Sequence, residues 1–371
     1  MGGQLRTIYM GDSIFDVGTN KYVKNSVSHC DFVPYGETRF RKPSGRCSDG
    51  FIIPDLINKA IGLPFSRPFL GLKAGSQLPP SINFASDGSG LLDSTHSDWG
   101  VVSFNEQLKQ LVQLSKKNLN LNDFVVVISS AGNDIAANLQ NIADIDLKAM
   151  LMSLEKGLEQ LYKYGFRKIV YSSVGALGCS PIVTSGGKCV GEINNLVEEF
   201  NVQAREIVLG VAKRFPGMKG TFVDGFDQII RGEPKENTLS GLCKNPSDYV
   251  FWDIIHPTEH TYTLLAKEFI KKIIEVLIWE ATLCCLNRIV LAISPVRLHQ
   301  SINYTTPLAR LLAAMILHGL PPRRHCRQRH RLPQYRFAKR AEVYMTENWQ
   351  LLRGKMDLKF DPASKTSDLL P

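Results

Sequence analysis

The residues Ile8-Tyr9-Met10-Gly11-Asp12-Ser13-Ile14-Phe15-Asp16 decide how the chain is organised. The apolar run at the start of this stretch is typical of a short buried strand. Gly11 and Asp12 end the strand, and Ser13 follows where the chain must turn. Ligands of α/β proteins bind at the carboxyl ends of parallel strands. The stretch is therefore either a strand-to-helix turn or the position of a reactive serine, and the rest of the chain has to decide between them.

Predicted strands and helices alternate over the first three quarters of the chain. Residues 123–129 give the clearest strand, because five consecutive apolar residues are typical of a strand that is buried on both faces. Alternation of this kind predicts βαβ units, and hence an α/β fold with a parallel sheet between helices. The predicted strands are 5–10, 81–84, 123–129, 167–172 and 219–223, and the predicted helices are 49–61, 102–119, 146–164, 191–215 and 257–276.

The positive charge of the chain is concentrated at its C-terminus. The 371 residues carry a net charge of +9, and residues 280–371 contain 15 Lys/Arg against 6 Asp/Glu, which accounts for all of it. We therefore predict a neutral domain over residues 1–279 and a basic, poorly ordered extension over residues 280–371. The basic run at 323–331 lacks interleaved aromatic residues, so no nucleic-acid partner is expected.

Eight cysteines are present, and none of them form a CxxC pair. This spacing argues against a structural zinc site and a thioredoxin-type motif. Cys179 and Cys189 flank a loop rich in Pro, Gly and Ser, and they could close it as a disulfide in an oxidising compartment. The apolar stretch 276–293 is interrupted by three polar residues, which favours an extension of a helix over a transmembrane segment.

Residues suited to acyl transfer follow several of the predicted strands. Ser13 comes after the first strand, Gly88 after the second and Asn133 after the third. Asp253 and His256 are three residues apart, so the carboxylate can hold one imidazole nitrogen and leave the other for a serine hydroxyl. A glycine N–H and an Asn amide are suitable donors to an oxyanion. Together these residues predict ester hydrolysis with Ser13 as the nucleophile.

These motifs resemble the plant branch of the GDSL esterase/lipases, which belong to the SGNH hydrolase superfamily. The resemblance rests on Gly11-Asp12-Ser13, the stretch 83–93 (NFASDGSGLLD), Gly132-Asn133-Asp134 and the stretch 251–259 (FWDIIHPTE). It implies a flavodoxin-like three-layer α/β/α sandwich, with an acyl ester or lipid as the substrate and with neither metal nor cofactor. The implied site has Ser13 as nucleophile, His256 as base and Asp253 as its orienting carboxylate, and an oxyanion hole made by Ser13, Gly88 and Asn133.

The chain departs from the family pattern in three places. Asp87 stands where the family usually has glycine, and we expect its side chain to point to the surface. Residues 226–248 are shorter than usual and keep one cysteine, Cys243. These two departures leave open a catalytically impaired member, and acyl transfer is a further alternative on the same site. The resemblance implies a secreted protein, whereas the N-terminus enters the first strand without an apolar signal core, which favours an intracellular location or an incomplete gene model.

Overall fold

The computed structural model describes residues 5–73, 75–117, 119–184, 188–225 and 245–292, and a parallel sheet of six strands lies at its centre. The order of the strands is β2-β3-β1-β4-β5-β6, so β1 and β4 occupy the middle of the sheet. The predicted α/β class and all five predicted strands are confirmed. The strands are β1 (Arg6–Gly11), β2 (Arg67–Pro68), β3 (Ser81–Asn83), β4 (Phe124–Ser129), β5 (Lys168–Ser172) and β6 (Lys219–Val223).

The additional strand β2 has only two residues and lies at the edge of the sheet beside β3. Such a short segment shows no alternation of apolar and polar residues, and it contains Pro68. Proline cannot donate a hydrogen bond to a ladder, which restricts it to strand edges. The sequence therefore carries no strand signal at this position.

Helices cover both faces of the sheet and complete the predicted three-layer sandwich. One layer contains α2, α4 and α5, in which α4 contacts both others, and the opposite layer pairs α1 with α6. The core between the layers is apolar, with β4 buried along its whole length. The helices are α1 (Ile53–Ile61), α2 (Phe104–Ser115), α3 (Gly132–Ala136), α4 (Leu147–Tyr164), α5 (Gly191–Arg214) and α6 (Glu259–Ala292).

Helix α6 runs past residue 276, the end of the predicted helix 257–276, and continues through the apolar stretch that begins there. This agrees with the prediction of a helix extension there. No helix in the described part of the chain is both long enough and apolar enough to cross a membrane. The predicted domain boundary at 279/280 falls inside α6. The division into two domains stays a prediction, because most of the predicted extension lies outside the described residues.

Gly11 brings β1 so close to β4 that no other residue fits. Its φ is +126°, and a Cβ atom would lie 1.6 Å from the Ser129 carbonyl oxygen. The Gln107 side chain from α2 holds the same peptide, since Gly11 N–H donates to Oε1 and Nε2 donates to Gly11 C=O, both at 2.8 Å. Asp12 N–H then donates to Ser129 C=O at 3.0 Å. These bonds fix the point at which the chain leaves the sheet and presents Ser13.

A long loop between β1 and α1 is fastened to the domain by a disulfide and a buried ion pair. The disulfide joins Cys30 to Cys47. The neighbouring Arg46 guanidinium donates to both carboxylate oxygens of Asp55 in α1, at 2.6 and 2.8 Å. Side-chain exposure is 10% for Arg46 and 0% for Asp55. A bidentate pair this well enclosed leaves an uncompensated charge if either partner is removed.

We expect Arg46→Met to lower the free energy of unfolding by about 3–5 kcal/mol, because Asp55 would stay buried without its partner. Urea denaturation followed by far-UV circular dichroism measures the change. Lys109→Met is the matched control, since it removes the exposed ion pair with Glu106, in which Lys109 has a side-chain exposure of 71%. The control should cost less than about 1 kcal/mol. Equal losses in the two variants would contradict the assignment of Arg46 as an anchor of the loop.

Candidate active site

Ser13, His256 and Asp253 form a continuous hydrogen-bonded relay, although 240 residues separate the serine from the carboxylate in sequence. His256 Nε2 lies 2.9 Å from Ser13 Oγ, and His256 Nδ1 lies 2.7 Å from Asp253 Oδ2. The serine comes from the turn after β1, and the other two residues come from the loop before α6. The structure thus brings together the three residues that the sequence analysis assigned to nucleophile, base and orienting carboxylate.

The local conformation of residues 251–258 presents the carboxylate and the imidazole together. Asp253 Oδ1 accepts the backbone N–H groups of Ile255 and His256, at 2.8 and 2.7 Å. This leaves Oδ2 free to bond the imidazole. An isolated β-bridge between Phe251 and Pro257 closes the base of the loop. The spacing of three residues therefore works through a tight turn, and α6 begins two residues after Pro257 rather than at it.

A tyrosine that the sequence analysis did not single out shares the Asp253 carboxylate. Tyr35 Oη–H donates to Asp253 Oδ2 at 2.7 Å, the same oxygen that bonds His256. Tyr35 belongs to the long loop after β1, which docks on the start of α6 through Glu259. The Glu259 carboxylate accepts Phe51 N–H at 2.9 Å, and its backbone N–H donates to Asp49 Oδ1 at 2.7 Å. The β1–α1 loop thereby becomes part of the wall of the site.

Three carboxylates determine the protonation of His256. Burial on its own would lower the pKa of His256, but the negative charges of Asp253, Asp87 and Asp12 and the hydrogen bond to Asp253 raise it to about 9. Burial opposes ionisation of Asp253 as well, yet His256 and the two backbone donors outweigh it and lower the pKa of Asp253 to about 2. Burial raises the pKa of Asp12 to about 7. Asp253 is therefore ionised at every pH of practical interest.

The expected surface position of Asp87 is wrong. Its exposure is 7%, and Oδ2 lies 3.8 Å from Cys30 Sγ. The backbone on either side of the side chain is held, because Asp87 N–H donates to Asp16 Oδ2 at 3.0 Å and its carbonyl accepts from Asn20 Nδ2 at 2.9 Å. This fixed turn directs the carboxylate inward. Burial raises the pKa of Asp87, and the nearby His256 charge opposes that rise.

The three groups assigned to an oxyanion hole do not all line the cleft that contains Ser13. Asn133 lines the same cleft as Ser13 and His256, and its Nδ2 donates to Ser89 C=O at 2.9 Å. Gly88 is not among the described residues that line the cleft. Within the part of the chain that the structure describes, the N–H groups of Ser13 and Gly88 have no hydrogen-bond acceptor. Both therefore remain available as donors.

The turn that carries Gly88 is braced by side chains from later in the chain. Gly88 has φ +83°, a conformation that favours glycine, and a Cβ atom there would make tight contacts of 3.0 Å with Ser28 Oγ and Val101 Cγ1. His96 Nδ1 lies 2.8 Å from Gly88 C=O. Asp134 accepts the N–H groups of Leu91 and Leu92, at 2.8 and 3.0 Å, and thus ties the turn to the start of α3. These contacts fix the distance between the Gly88 turn and Asn133.

The cleft beside Ser13 has a volume of about 110 Å³ and mostly apolar walls. Its polar lining comprises Ser13, Asn133 and His256 together with Asp12, Ser129, Ser130, Ser172, Ser173 and Ser180. The apolar part of the surface could accommodate a hydrocarbon group. The apolar lining residues include Ile14, Ile53, Val174, Leu177, Phe251 and Phe269.

Both disulfides of the described chain border this region. The Cys179–Cys189 bond that the sequence suggested is confirmed and closes the loop after β5. The Cys30–Cys47 bond was not predicted, because the pairing of cysteines cannot be deduced from their positions in the sequence alone. Both sulfur atoms of this second disulfide lie close to the His256 imidazole.

Comparisons with known proteins identify the family of the chain. The model of the GDSL-like Lipase/Acylhydrolase family matches residues 8–269. GDSL esterase/lipase 6 of Arabidopsis thaliana is 34% identical over 304 residues, which cover 69% of this chain and 83% of the relative. A second GDSL esterase/lipase of the same plant is 28% identical over 314 residues, covering 71% and 87% of the two chains. A solved structure, the acetylxylan esterase Axe2 from Geobacillus stearothermophilus, is 12% identical with a TM-score of 0.38, covering 73% and 95%.

The matched region extends from β1 into α6 and contains every residue of the relay, the turn of Gly88 and the start of α3. A family match over more than two thirds of the chain, a curated relative at 34% identity and a parallel three-layer sandwich all lead to the same assignment. The chain belongs to the GDSL esterase/lipase family of ester-bond hydrolases.

Proposed function

We propose that this protein hydrolyses carboxylic acyl esters or lipids through an acyl-enzyme on Ser13. The observation that carries the proposal is the relay itself, in which His256 Nε2 lies 2.9 Å from Ser13 Oγ and Nδ1 lies 2.7 Å from Asp253. Both distances are within the range in which a base can take a proton from a hydroxyl group and be oriented by a carboxylate.

In the proposed mechanism, Ser13 Oγ attacks the ester carbonyl while His256 Nε2 takes the serine proton. The tetrahedral intermediate collapses, and His256 returns the proton to the departing alcohol. A water molecule then attacks the acyl-enzyme with His256 again acting as base, which releases the acid and restores Ser13. Asp253 holds the imidazole in the tautomer that leaves Nε2 unprotonated and stabilises the imidazolium that forms at each step.

The negative charge that develops on the carbonyl oxygen needs donors that are already in place. The proposed donors are the Asn133 amide and the N–H groups of Ser13 and Gly88, which have no acceptor among the described residues. One such donor contributes about 10²–10³ to the rate. Because the walls of the cleft are mostly apolar, we expect the cleft to enclose the acyl group of the ester. The substrate class is therefore an uncharged acyl ester.

The proposal is tested by hydrolysis of p-nitrophenyl acetate, butyrate and octanoate, combined with an aryl phosphonate that reacts with activated serines. We expect turnover of at least one ester and inactivation with one phosphonyl group bound on the tryptic peptide that contains Ser13. A folded enzyme that neither turns over these esters nor reacts with the phosphonate would overturn the proposal. Product formation only when an alcohol is added would instead identify acyl transfer as the reaction.

The pH profile should show a single acid limb that belongs to His256. Because the base must be neutral, we expect kcat/KM to rise with pH up to about 9, the pKa to which the three carboxylates raise His256. Asp87→Asn removes one of these charges without a change in size, so the limb should move to lower pH and activity at neutral pH should increase. Asp98→Asn, which removes a charge from an exposed residue, is the control. An unchanged limb in Asp87→Asn would show that the carboxylate does not influence His256.

For the location of the protein, we propose an oxidising compartment such as the extracellular space. The two disulfides among the described residues support this, since structural disulfides form and persist mainly in secreted proteins. Thiol titration of the protein isolated from its native tissue tests the proposal. Free thiols at all four of these cysteines would contradict it.

A further inference from the structure

The Cys30–Cys47 disulfide, His256 and Asp87 form a cluster on one side of the relay. The two sulfur atoms and one imidazole nitrogen of His256 all lie within 4.8 Å of one another. Asp87 Oδ2 lies 3.8 Å from Cys30 Sγ. Cys30, Cys47 and Asp87 are all buried, so the cluster is enclosed rather than spread over a surface. None of these three residues has a chemical step in the mechanism proposed above.

Reduction changes the chemistry of this cluster. A phosphine reductant and one water molecule convert the disulfide into two thiols, with the phosphine oxidised to its oxide and the two protons of water transferred to the sulfurs. Two cysteines and a histidine, with water in the fourth position, are a ligand set that Zn²⁺ accepts. At a Zn–S distance of about 2.3 Å, the ligand atoms of a tetrahedral site lie about 3.8 Å apart. The disulfide holds the two sulfur atoms 2.07 Å apart, so they must separate after reduction, whereas the imidazole nitrogen already lies within 4.8 Å of both.

We propose that reduction of the Cys30–Cys47 disulfide creates an inhibitory binding site for a thiophilic divalent cation, with Cys30, Cys47 and His256 as ligands and water in the fourth position. Binding displaces the two thiol protons, because thiolates are the species that coordinate zinc. The ion is an inhibitor here and has no part in ester hydrolysis. In the oxidised protein the sulfur atoms are bonded to each other, and the site does not exist.

Inhibition follows from the bonds that His256 already makes. Nε2 is bonded to Ser13 and Nδ1 to Asp253, so a cation at either nitrogen removes one contact of the relay. Coordination through Nε2 takes away the base, and coordination through Nδ1 separates it from its carboxylate. Metal binding does not depend on the proposed function, whereas the expected loss of activity rests on that function.

The experiment uses the full-length protein, oxidised or reduced with a phosphine that is then removed by desalting. Reduction must expose the thiols of Cys30 and Cys47 to mass-spectrometric alkylation. We expect Zn²⁺ to inhibit ester hydrolysis by the reduced enzyme at about a hundredfold lower concentration than by the oxidised enzyme, with recovery on addition of a chelator. Co²⁺ absorption provides a second readout that needs no activity, because thiolate ligands give a charge-transfer band.

Two cysteine variants separate this site from the remaining cysteines. Cys179→Ser/Cys189→Ser removes the other disulfide and should keep the Zn²⁺ sensitivity of the reduced enzyme. Cys30→Ser/Cys47→Ser should lose both that sensitivity and the difference in the Co²⁺ band. If this variant does not fold, His256→Ala replaces it, and reduced His256→Ala should bind Co²⁺ at least about tenfold more weakly than the reduced wild type.

Three results would overturn the proposal: no new thiols after reduction, equal Zn²⁺ sensitivity in the oxidised and reduced forms, or unchanged Co²⁺ affinity in Cys30→Ser/Cys47→Ser or in His256→Ala. An enzyme without esterase activity that still shows the Co²⁺ band in a Cys30- and Cys47-dependent way would refute the proposed function and leave the metal site standing.

Discussion

Replacement of Ser13 by alanine is expected to remove ester hydrolysis, with kcat lowered on the order of a millionfold, the loss seen when a serine nucleophile that acts together with its base is removed. The reason is that no other hydroxyl group is hydrogen-bonded to His256 among the described residues. The oxyanion donors and the apolar cleft remain, so any residual rate should come from binding and from polarisation of the carbonyl group. The initial burst of p-nitrophenol release from p-nitrophenyl butyrate should also disappear in Ser13→Ala.

The loss can be assigned to chemistry because the substitution should leave the fold intact. Within the described chain the Ser13 hydroxyl bonds only to His256, so its removal leaves no structural contact broken elsewhere. Ser76→Ala is the matched control, since among the described residues that exposed hydroxyl bonds only to Lys73 C=O of its own turn. We expect the control to keep wild-type activity, and both variants to keep the thermal midpoint. Turnover by Ser13→Ala within tenfold of the wild type would rule out the acyl-enzyme mechanism.

Most of the fold follows from local sequence patterns. The strand at Phe124–Ser129 is a continuous apolar run, and the helices on the sheet have apolar faces at helical spacing, so each element is specified within its own window. Short stretches of sequence do not reveal β2, which has two residues at the edge of the sheet and forms only through its pairing with β3. Pairing partners distant in the chain leave no periodic signal.

The site residues also fall into two groups: those that local sequence patterns reveal and those that depend on the assembled fold. Ser13 and Asn133 are found because each follows a strand whose end the sequence marks, and His256 because it lies three residues after Asp253 at the start of a predicted helix. Tyr35 is different, since it reaches Asp253 across 218 positions from a loop without periodicity. Its contact depends on how that loop docks on α6, which only the assembled structure defines.

The side chain of Asp87 shows why one residue type is not enough to predict its environment. Charged residues usually lie at the surface. The wrong prediction of a surface orientation for the Asp87 side chain rested on this general tendency. Two backbone hydrogen bonds and the neighbouring disulfide hold the carboxylate inside, next to the imidazole. The cost of burial is reduced by the positive charge that His256 carries when protonated, an interaction that requires both loops to be in place.

Asp253→Asn should lower kcat by about 10⁴, the effect expected when a base is left in the wrong tautomer. Asn Oδ1 can keep the backbone bonds from Ile255 and His256, so the loop retains its shape. Nδ2 then takes the place of Oδ2 and donates to His256 Nδ1, which moves the imidazole proton to Nε2. A protonated Nε2 cannot accept the proton of Ser13, and the charge that stabilises the imidazolium is also gone.

Two variants distinguish this tautomer effect from a general disturbance of the loop. Tyr35→Phe removes the second donor to Asp253 but keeps the carboxylate, so its loss should be only about tenfold to a hundredfold, as for a hydrogen bond to a charged group. Asp248→Asn removes an exposed carboxylate before the same loop and should leave kcat near the wild-type value.

The pH profile adds a readout that a structural effect would not produce. Loss of the Asp253 charge should lower the pKa of His256 and move the acid limb well below 9, whereas Tyr35→Phe, which keeps this charge, should retain an acid limb of the wild-type kind. Equal losses in Asp253→Asn and Tyr35→Phe, with an unmoved acid limb in both, would show that Asp253 acts only as a support of the loop.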